Sequence, residues 1–251
     1  MHLQVEDLSH VYLGKMPRPA LANLTFEVPA GQFVALVGPS GCGKSTLLRL
    51  AAGLLGVQSG SLLLDGLPPG QNGKWTAWMA QNPALLPWLT VEENLRLAGK
   101  LTGQGRKIPI LSKVLREALQ RVGLGDALKA YPHQLSGGMQ QRAALARLLI
   151  HPAELWLMDE PFAALDELTR ERLAEELLDL WQPQRPTVLW VTHNIREALL
   201  LADRILVLTP APGEIAADIA VALPRPRQED DPGFLYMVRQ VRTCLEAGDG
   251  A

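Results

Sequence analysis

Apolar positions recur along the chain in two ways. Short runs of four or five residues, mostly apolar or β-branched and set between turn formers, occur at Leu24–Val28, Phe33–Val37, Ser61–Leu64, Trp75–Met79, Leu155–Met158 and Thr187–Val191. Elsewhere leucines and alanines return every three or four positions: Ser45–Leu54, Thr90 to about Gly123, Ser136–Ile150 and Asp166–Trp181. The first pattern predicts strands and the second predicts helices with one buried face. Leu155–Met158 and Thr187–Val191 carry no alternating polar residue, as expected of parallel strands covered on both sides. Pro29-Ala30-Gly31 marks the turn between the first two strands. Thr90-Val91-Glu92-Glu93 has the spacing of a capping box that opens a helix. Strands alternating with helices predict an α/β fold around a parallel sheet. The helical block between Gln81 and Ile150 reads as an insertion, about 82–152, within a single domain spanning 1–251. The Pro/Arg stretch Leu223–Gln228 leads from the last strands into a C-terminal helix. No internal repeat or low-complexity tract interrupts this plan.

Composition narrows the class. Of 251 residues, 47% are hydrophobic and 20% charged, which supports a sizeable core and excludes a disordered chain. The net charge of -2 gives no broad drive toward nucleic acid or anionic lipid. Cys42 and Cys244 are too few for a disulfide framework and fit a reducing compartment. The Met1 end has no basic start followed by an apolar stretch, and no run of 18 apolar residues occurs, so a soluble cytosolic protein is expected.

Three segments carry chemistry. Gly38-Pro39-Ser40-Gly41-Cys42-Gly43-Lys44-Ser45-Thr46 lies between a predicted strand and a predicted helix. Its glycines let backbone N–H groups turn toward phosphate oxygens, and the helix start adds a favourable dipole. Lys44 is placed to reach β/γ-phosphates and the Ser45 hydroxyl to coordinate Mg²⁺. Cys42 fills a variable loop position as a small side chain. Asp159-Glu160 ends an apolar strand; Asp159 suits a hold on Mg²⁺, and Glu160 can polarise an attacking water. Alone, such a pair is an ordinary helix cap, and its weight comes from the phosphate loop upstream. The third segment, Leu135-Ser136-Gly137-Gly138-Met139-Gln140-Gln141-Arg142, opens a helix with Ser and two Gly. That is a poor start for a helix that only packs, and a good one for binding a second phosphate.

With these residues the chain closely resembles the ATP-binding subunits of ABC transporters, whose signature reads LSGGQ; here Met139 replaces the last residue. The resemblance runs from Leu3 to about Leu245 and implies a P-loop NTPase core with a mainly parallel sheet, an N-terminal antiparallel β subdomain and an inserted α-helical subdomain. It implies that Gln81 matches the glutamine that touches Mg²⁺ or the attacking water. His193 matches the switch histidine at the γ-phosphate, and Tyr12 stands where an aromatic stacks on adenine. Ala163-Ala164-Leu165-Asp166 resembles the SALD loop, with Ala163 in place of Ser and Asp166 retained. ATP and Mg²⁺ are the implied ligands. The phosphate loop and Ser136-Gly137-Gly138 would belong to a composite site shared by two copies of the chain.

Gln81-Asn82-Pro83-Ala84-Leu85-Leu86-Pro87-Trp88 and the tail Pro210–Ile215 with Leu223–Arg227 look like the nitrate/sulfonate/taurine-type importer subgroup. That implies an ATPase on the cytoplasmic face of the inner membrane, docked on transmembrane permease subunits, served indirectly by a substrate-binding protein and contacting no nucleic acid. Trp88 with Leu85 and Leu86 reads as a docking groove, against the alternative of packing under its own helices. Trp75, Trp78, Trp156, Trp181 and Trp190 read as core. A soluble ABC ATPase of DNA repair or translation is the alternative function, opposed by the single phosphate loop and the lack of sustained heptads.

Overall fold

The structure, a computed structural model, describes residues 1–71, 76–101 and 108–248. Trp75 and residues 102–107 lie outside the described residues, so the expectations placed on them do not enter here. The chain packs as two compact units: Met1–Thr76, Glu154–Glu160 and Arg185–Ala251 form the first, and Ala77–Ala153 with Pro161–Gln184 the second.

In the first unit, β1 (Leu3–Tyr12) pairs antiparallel with β2 (Arg18–Val28) on one side and β4 (Ser59–Leu64) on the other. Leu3, Val5 and Leu8 turn inward. The period of two breaks between Val5 and Leu8, where Asp7 is left-handed (φ 47°), so β1 is bulged. That break hides β1 from a reading by alternation.

The core sheet of this unit runs in the order β6 (Leu155–Asp159), β7 (Thr187–Val191), β3 (Phe33–Val37), β8 (Arg204–Leu208), β9 (Ile215–Ala220). The first four are mutually parallel and β9 returns antiparallel to β8. Every residue of β3, β6 and β7 is buried, which is why their sequences are apolar without alternation. Asp159 lies beside Val191, and Val191 beside Leu36, so three neighbouring strands end at one edge. In open parallel sheets that carboxyl edge is where ligands bind. Helices α1 (Lys44–Ala51), α6 (Ile195–Leu201) and α7 (Pro232–Gly248) complete the unit. The Pro/Arg stretch does more than lead into α7. The Arg227 guanidinium donates to Leu199 O (2.5 Å) and Ala202 O (2.7 Å), closing the end of α6, and burial lowers its pKa to about 10. Arg225 pairs with Asp203, whose other oxygen accepts from the Phe33 amide at 3.0 Å.

The second unit holds all but the first residue of β5 (Thr76–Met79), together with α2 (Val91–Leu101), α3 (Ile108–Arg121), α4 (Gly137–Leu149) and α5 (Glu167–Gln184). Its core includes Leu95, Leu115, Leu119, Val122, Leu145 and Leu148. The capping box forms as expected: the Thr90 amide donates to Glu93 Oε2 at 2.8 Å, and the Glu93 amide donates to Thr90 Oγ1 at 3.3 Å. Of the tryptophans expected in the core, Trp156, Trp181 and Trp190 are buried. Trp78 is only half-buried, because successive β5 residues face opposite ways and it shares a side with half-buried Thr76. Among the described residues, no helix is long and apolar enough to cross a membrane.

Candidate functional site: a phosphate loop and two carboxylates

The loop leaving β3 is shaped by its glycines. Gly43 is left-handed (φ 98°), and a Cβ there would stand 2.4 Å from Ala20 O, so no other residue fits. It caps α1 without a side-chain hydrogen bond, and no acidic residue occupies the first turn. The first N–H groups of α1 are therefore left to an anion. Lys44, 6% exposed, folds its ammonium back on the loop, donating to Gly38 O (2.7 Å) and Pro39 O (2.8 Å) and contacting Cys42 Sγ (3.5 Å). Ser40 and Gly41 form the exposed crest beside half-buried Pro39, and Cys42 is fully buried.

The Ser45 hydroxyl lies close enough to the Asp159 carboxylate to favour its charged form. Burial pushes the Asp159 carboxyl above the ordinary Asp range; the nearby Ser45 hydroxyl opposes this, Glu160 reinforces it, and Arg49 and Lys44 oppose it. Glu160 is left-handed (φ 46°) and its amide donates to Val191 O at 2.9 Å. A glutamate held in that strained region is typical of a working site. Its Oε2 lies 3.4 Å from Nδ1 of His193, which follows β7 and is largely exposed. The Tyr12 hydroxyl is 3.1 Å from Thr46 Oγ1, and its ring stands edge-on to His10 with centroids 5.0 Å apart. The first unit thus brings together Tyr12, the loop Gly38–Thr46, Asp159, Glu160 and His193.

The second unit holds Gln81, Ser136, Gly137, Gly138 and Asp166. Ser136 caps α4 by accepting from the Met139 amide at 3.3 Å, which leaves its hydroxyl proton to donate outward. A Cβ on Gly138 would stand 3.2 Å from Ala164 O, so this glycine permits close approach of the loop before α5. Buried Gln141 accepts from the Ala164 amide at 3.0 Å and fixes that loop to α4. Asp166 caps α5 through the Thr169 amide at 3.0 Å, and that bond holds its carboxyl below the usual range.

Gln81 is exposed at the head of the apolar loop. Arg147 donates to Pro83 O (3.1 Å) and Ala84 O (3.0 Å). Fully buried Asn94 accepts from the Leu86 amide (2.7 Å) and donates to the carbonyls of Leu86, Leu89 and Thr90. Trp88 stands outward, 70% exposed, on a loop held from beneath. Sequence reasoning did not single out Asn94, Arg147 or Gln141. A helix-disfavoured Asn four residues after the Thr90 cap was the one signal available.

The ABC transporter family matches residues 21–163. The aliphatic sulfonates import ATP-binding protein of Bacillus licheniformis is 42% identical over 91% of the chain and 88% of its own length. The nitrate import ATP-binding protein of a Synechocystis species is 42% identical over 89% of the chain and 84% of its own length. A dimeric ATP-binding cassette solved in a post-hydrolysis state with ADP and Pi superposes with a TM-score of 0.79, at 29% identity, over 88% of the chain and all of the cassette. The chain belongs to the ABC transporter family. It is an ATP-binding, ATP-hydrolysing subunit of an importer. The repair or translation alternative is not favoured.

Proposed function

We propose that this subunit drives uptake of a small molecule of the nitrate, sulfonate or taurine kind, as a homodimer on the cytoplasmic face of the inner membrane. Relatives that import nitrate and aliphatic sulfonates support the substrate class, and the dimeric cassette supports the pairing. Both compact units together make one ATP-binding domain, in which about 82–152 is a helical insertion. ATP sits between the phosphate loop of one copy and Ser136-Gly137-Gly138 of the other. Tyr12 stacks on adenine, with its hydroxyl tied to Thr46. Lys44 exchanges its loop carbonyls for β/γ-phosphate oxygens.

The donor set fits Mg²⁺. Ser45 and Asp159 offer hard oxygens near each other, and Mg²⁺ takes few protein ligands alongside nucleotide phosphates and water. Gln81 is the further oxygen ligand in this reading. When bound, the ion neutralises phosphate charge during transfer. Glu160 orients and accepts from the attacking water, His193 holds the γ-phosphate, and Asp166 lies at the contact between copies. Trp88 and its leucines receive a permease helix, and a substrate-binding protein delivers cargo to that permease.

The observation that carries this reading is Glu160 Oε2 at 3.4 Å from His193 Nδ1, on strand ends beside the phosphate loop. The test is uptake into vesicles holding the subunit with its permease and binding protein, offered nitrate, an alkanesulfonate or taurine. ATP- and Mg²⁺-dependent uptake of one of them is expected. Uptake of none, with no stimulation of ATPase, would defeat the substrate assignment.

A further inference from the structure

The turn that carries His193 is tied on both sides to one buried carboxylate. Thr192, 2% exposed, donates its amide to Leu36 O at 3.2 Å and its hydroxyl to Glu197 Oε2 at 2.8 Å. The same hydroxyl oxygen accepts from the Asn194 amide at 3.0 Å. Asn194 Oδ1 in turn accepts from the amides of Arg196 (2.9 Å) and Glu197 (3.3 Å), starting α6. Glu197 is 7% exposed. Burying a carboxylate is unfavourable unless it is hydrogen-bonded, and an alanine or leucine would meet the packing need of that helix turn without the penalty. The bond to Thr192 gives the carboxylate a task. It fixes the residue before His193, and through the shared hydroxyl also the residue after it. His193 itself is left pointing outward, 3.4 Å from Glu160.

We propose that Thr192 and Glu197 are positioning residues for hydrolysis, holding the His193 turn so that the imidazole stays within reach of Glu160 and the γ-phosphate. The inference rests on the reading of His193 given above. Both residues are buried, and neither is assigned a nucleotide contact here. Their loss should therefore slow the chemical step and leave nucleotide affinity alone.

The experiment compares Thr192→Val, which keeps shape and loses the hydroxyl, with Thr192→Ser, which keeps the hydroxyl. Turnover, KM for ATP and melting temperature are measured in the assembled transporter, with His193→Ala alongside. Thr192→Val should lower kcat about tenfold with KM unchanged, since small misplacements of a reacting group are costly. Thr192→Ser should restore most of it. Glu197→Met and Glu197→Gln repeat the comparison from the other end of the bond, should Thr192→Val fail to fold; Gln keeps an accepting oxygen and should retain turnover. Wild-type turnover in Thr192→Val and Glu197→Met, beside a slow His193→Ala, overturns the positioning role alone. A loss of ATP affinity matching the loss of kcat also overturns it, because the residues would then support the nucleotide site generally. Wild-type turnover in His193→Ala removes the role of His193 and this inference with it.

Discussion

Asp159 and Glu160 are neighbours in sequence with different surroundings. Asp159 closes a fully buried strand, and burial raises its carboxyl despite the Ser45 hydroxyl and two cations nearby. Glu160 sits one residue on, turned by a left-handed backbone toward His193. Two adjacent carboxylates in different environments can divide their work, one holding a cation and the other handling a proton. Glu160→Gln keeps the shape and one accepting oxygen but loses the ability to take a proton. Turnover should fall by about 10²–10⁴-fold, the range for a lost general base, while ATP affinity stays within a few-fold of the native value. Phosphate release and nucleotide titration check this, and near-native turnover would remove Glu160 from the proton-transfer role.

An element can be rigid inside and still offer one side chain outward, and the loop from Pro83 to Leu89 does so. Asn94 makes four hydrogen bonds to the loop and the start of α2, and Arg147 makes two more. Removing Asn94 strands buried backbone groups, so Asn94→Ala should cost about 2–4 kcal/mol of stability. Trp88→Ala removes an exposed ring and should leave melting temperature and ATP affinity nearly unchanged. If the loop is the docking surface, the same change weakens retention on the permease by about 2 kcal/mol, as for a central aromatic anchor. The paired measurement is denaturation of the free subunit and retention on the purified permease. A Trp88→Ala subunit that still binds the permease normally moves docking elsewhere.

Across the whole molecule, two anion-ready helix starts fall in different compact units, α1 with the phosphate loop in the first and α4 with Ser136 in the second. A site shared between copies, as proposed above, would give each start its own phenotype. Lys44→Ala should lose nucleotide binding, and Ser136→Ala should bind ATP yet fail to close and hydrolyse. Mixed at equal concentration, the two should recover part of the activity, because one interface then pairs an intact loop with an intact signature. Size exclusion with ATP and a turnover assay on the mixture read this directly. Absence of any recovery across mixing ratios speaks against sharing.

Sequence alone determined what depends on near neighbours along the chain. The glycine pattern of the phosphate loop, the Thr90–Glu93 box, the Ser136 start of α4 and the unbroken apolar strands are local, because backbone dihedrals and caps are set within a few residues. The family resemblance rested on the phosphate loop, the Asp159-Glu160 strand end and the Leu135–Arg142 segment. Tertiary structure decided what depends on which segments become neighbours. Glu160 meets His193 only because β6 lies beside β7 and both end at one edge. Burial of Glu197 and Asn94, and partial exposure of Trp78, likewise follow from packing that no spacing rule contains. The seven residues of α6 are too few to show a helical period, and its ends are fixed by Asn194 at one side and by Arg227 at the other. Strand order and side-chain burial are long-range properties, paid for by contacts between residues far apart in the chain, and local patterns carry no record of them.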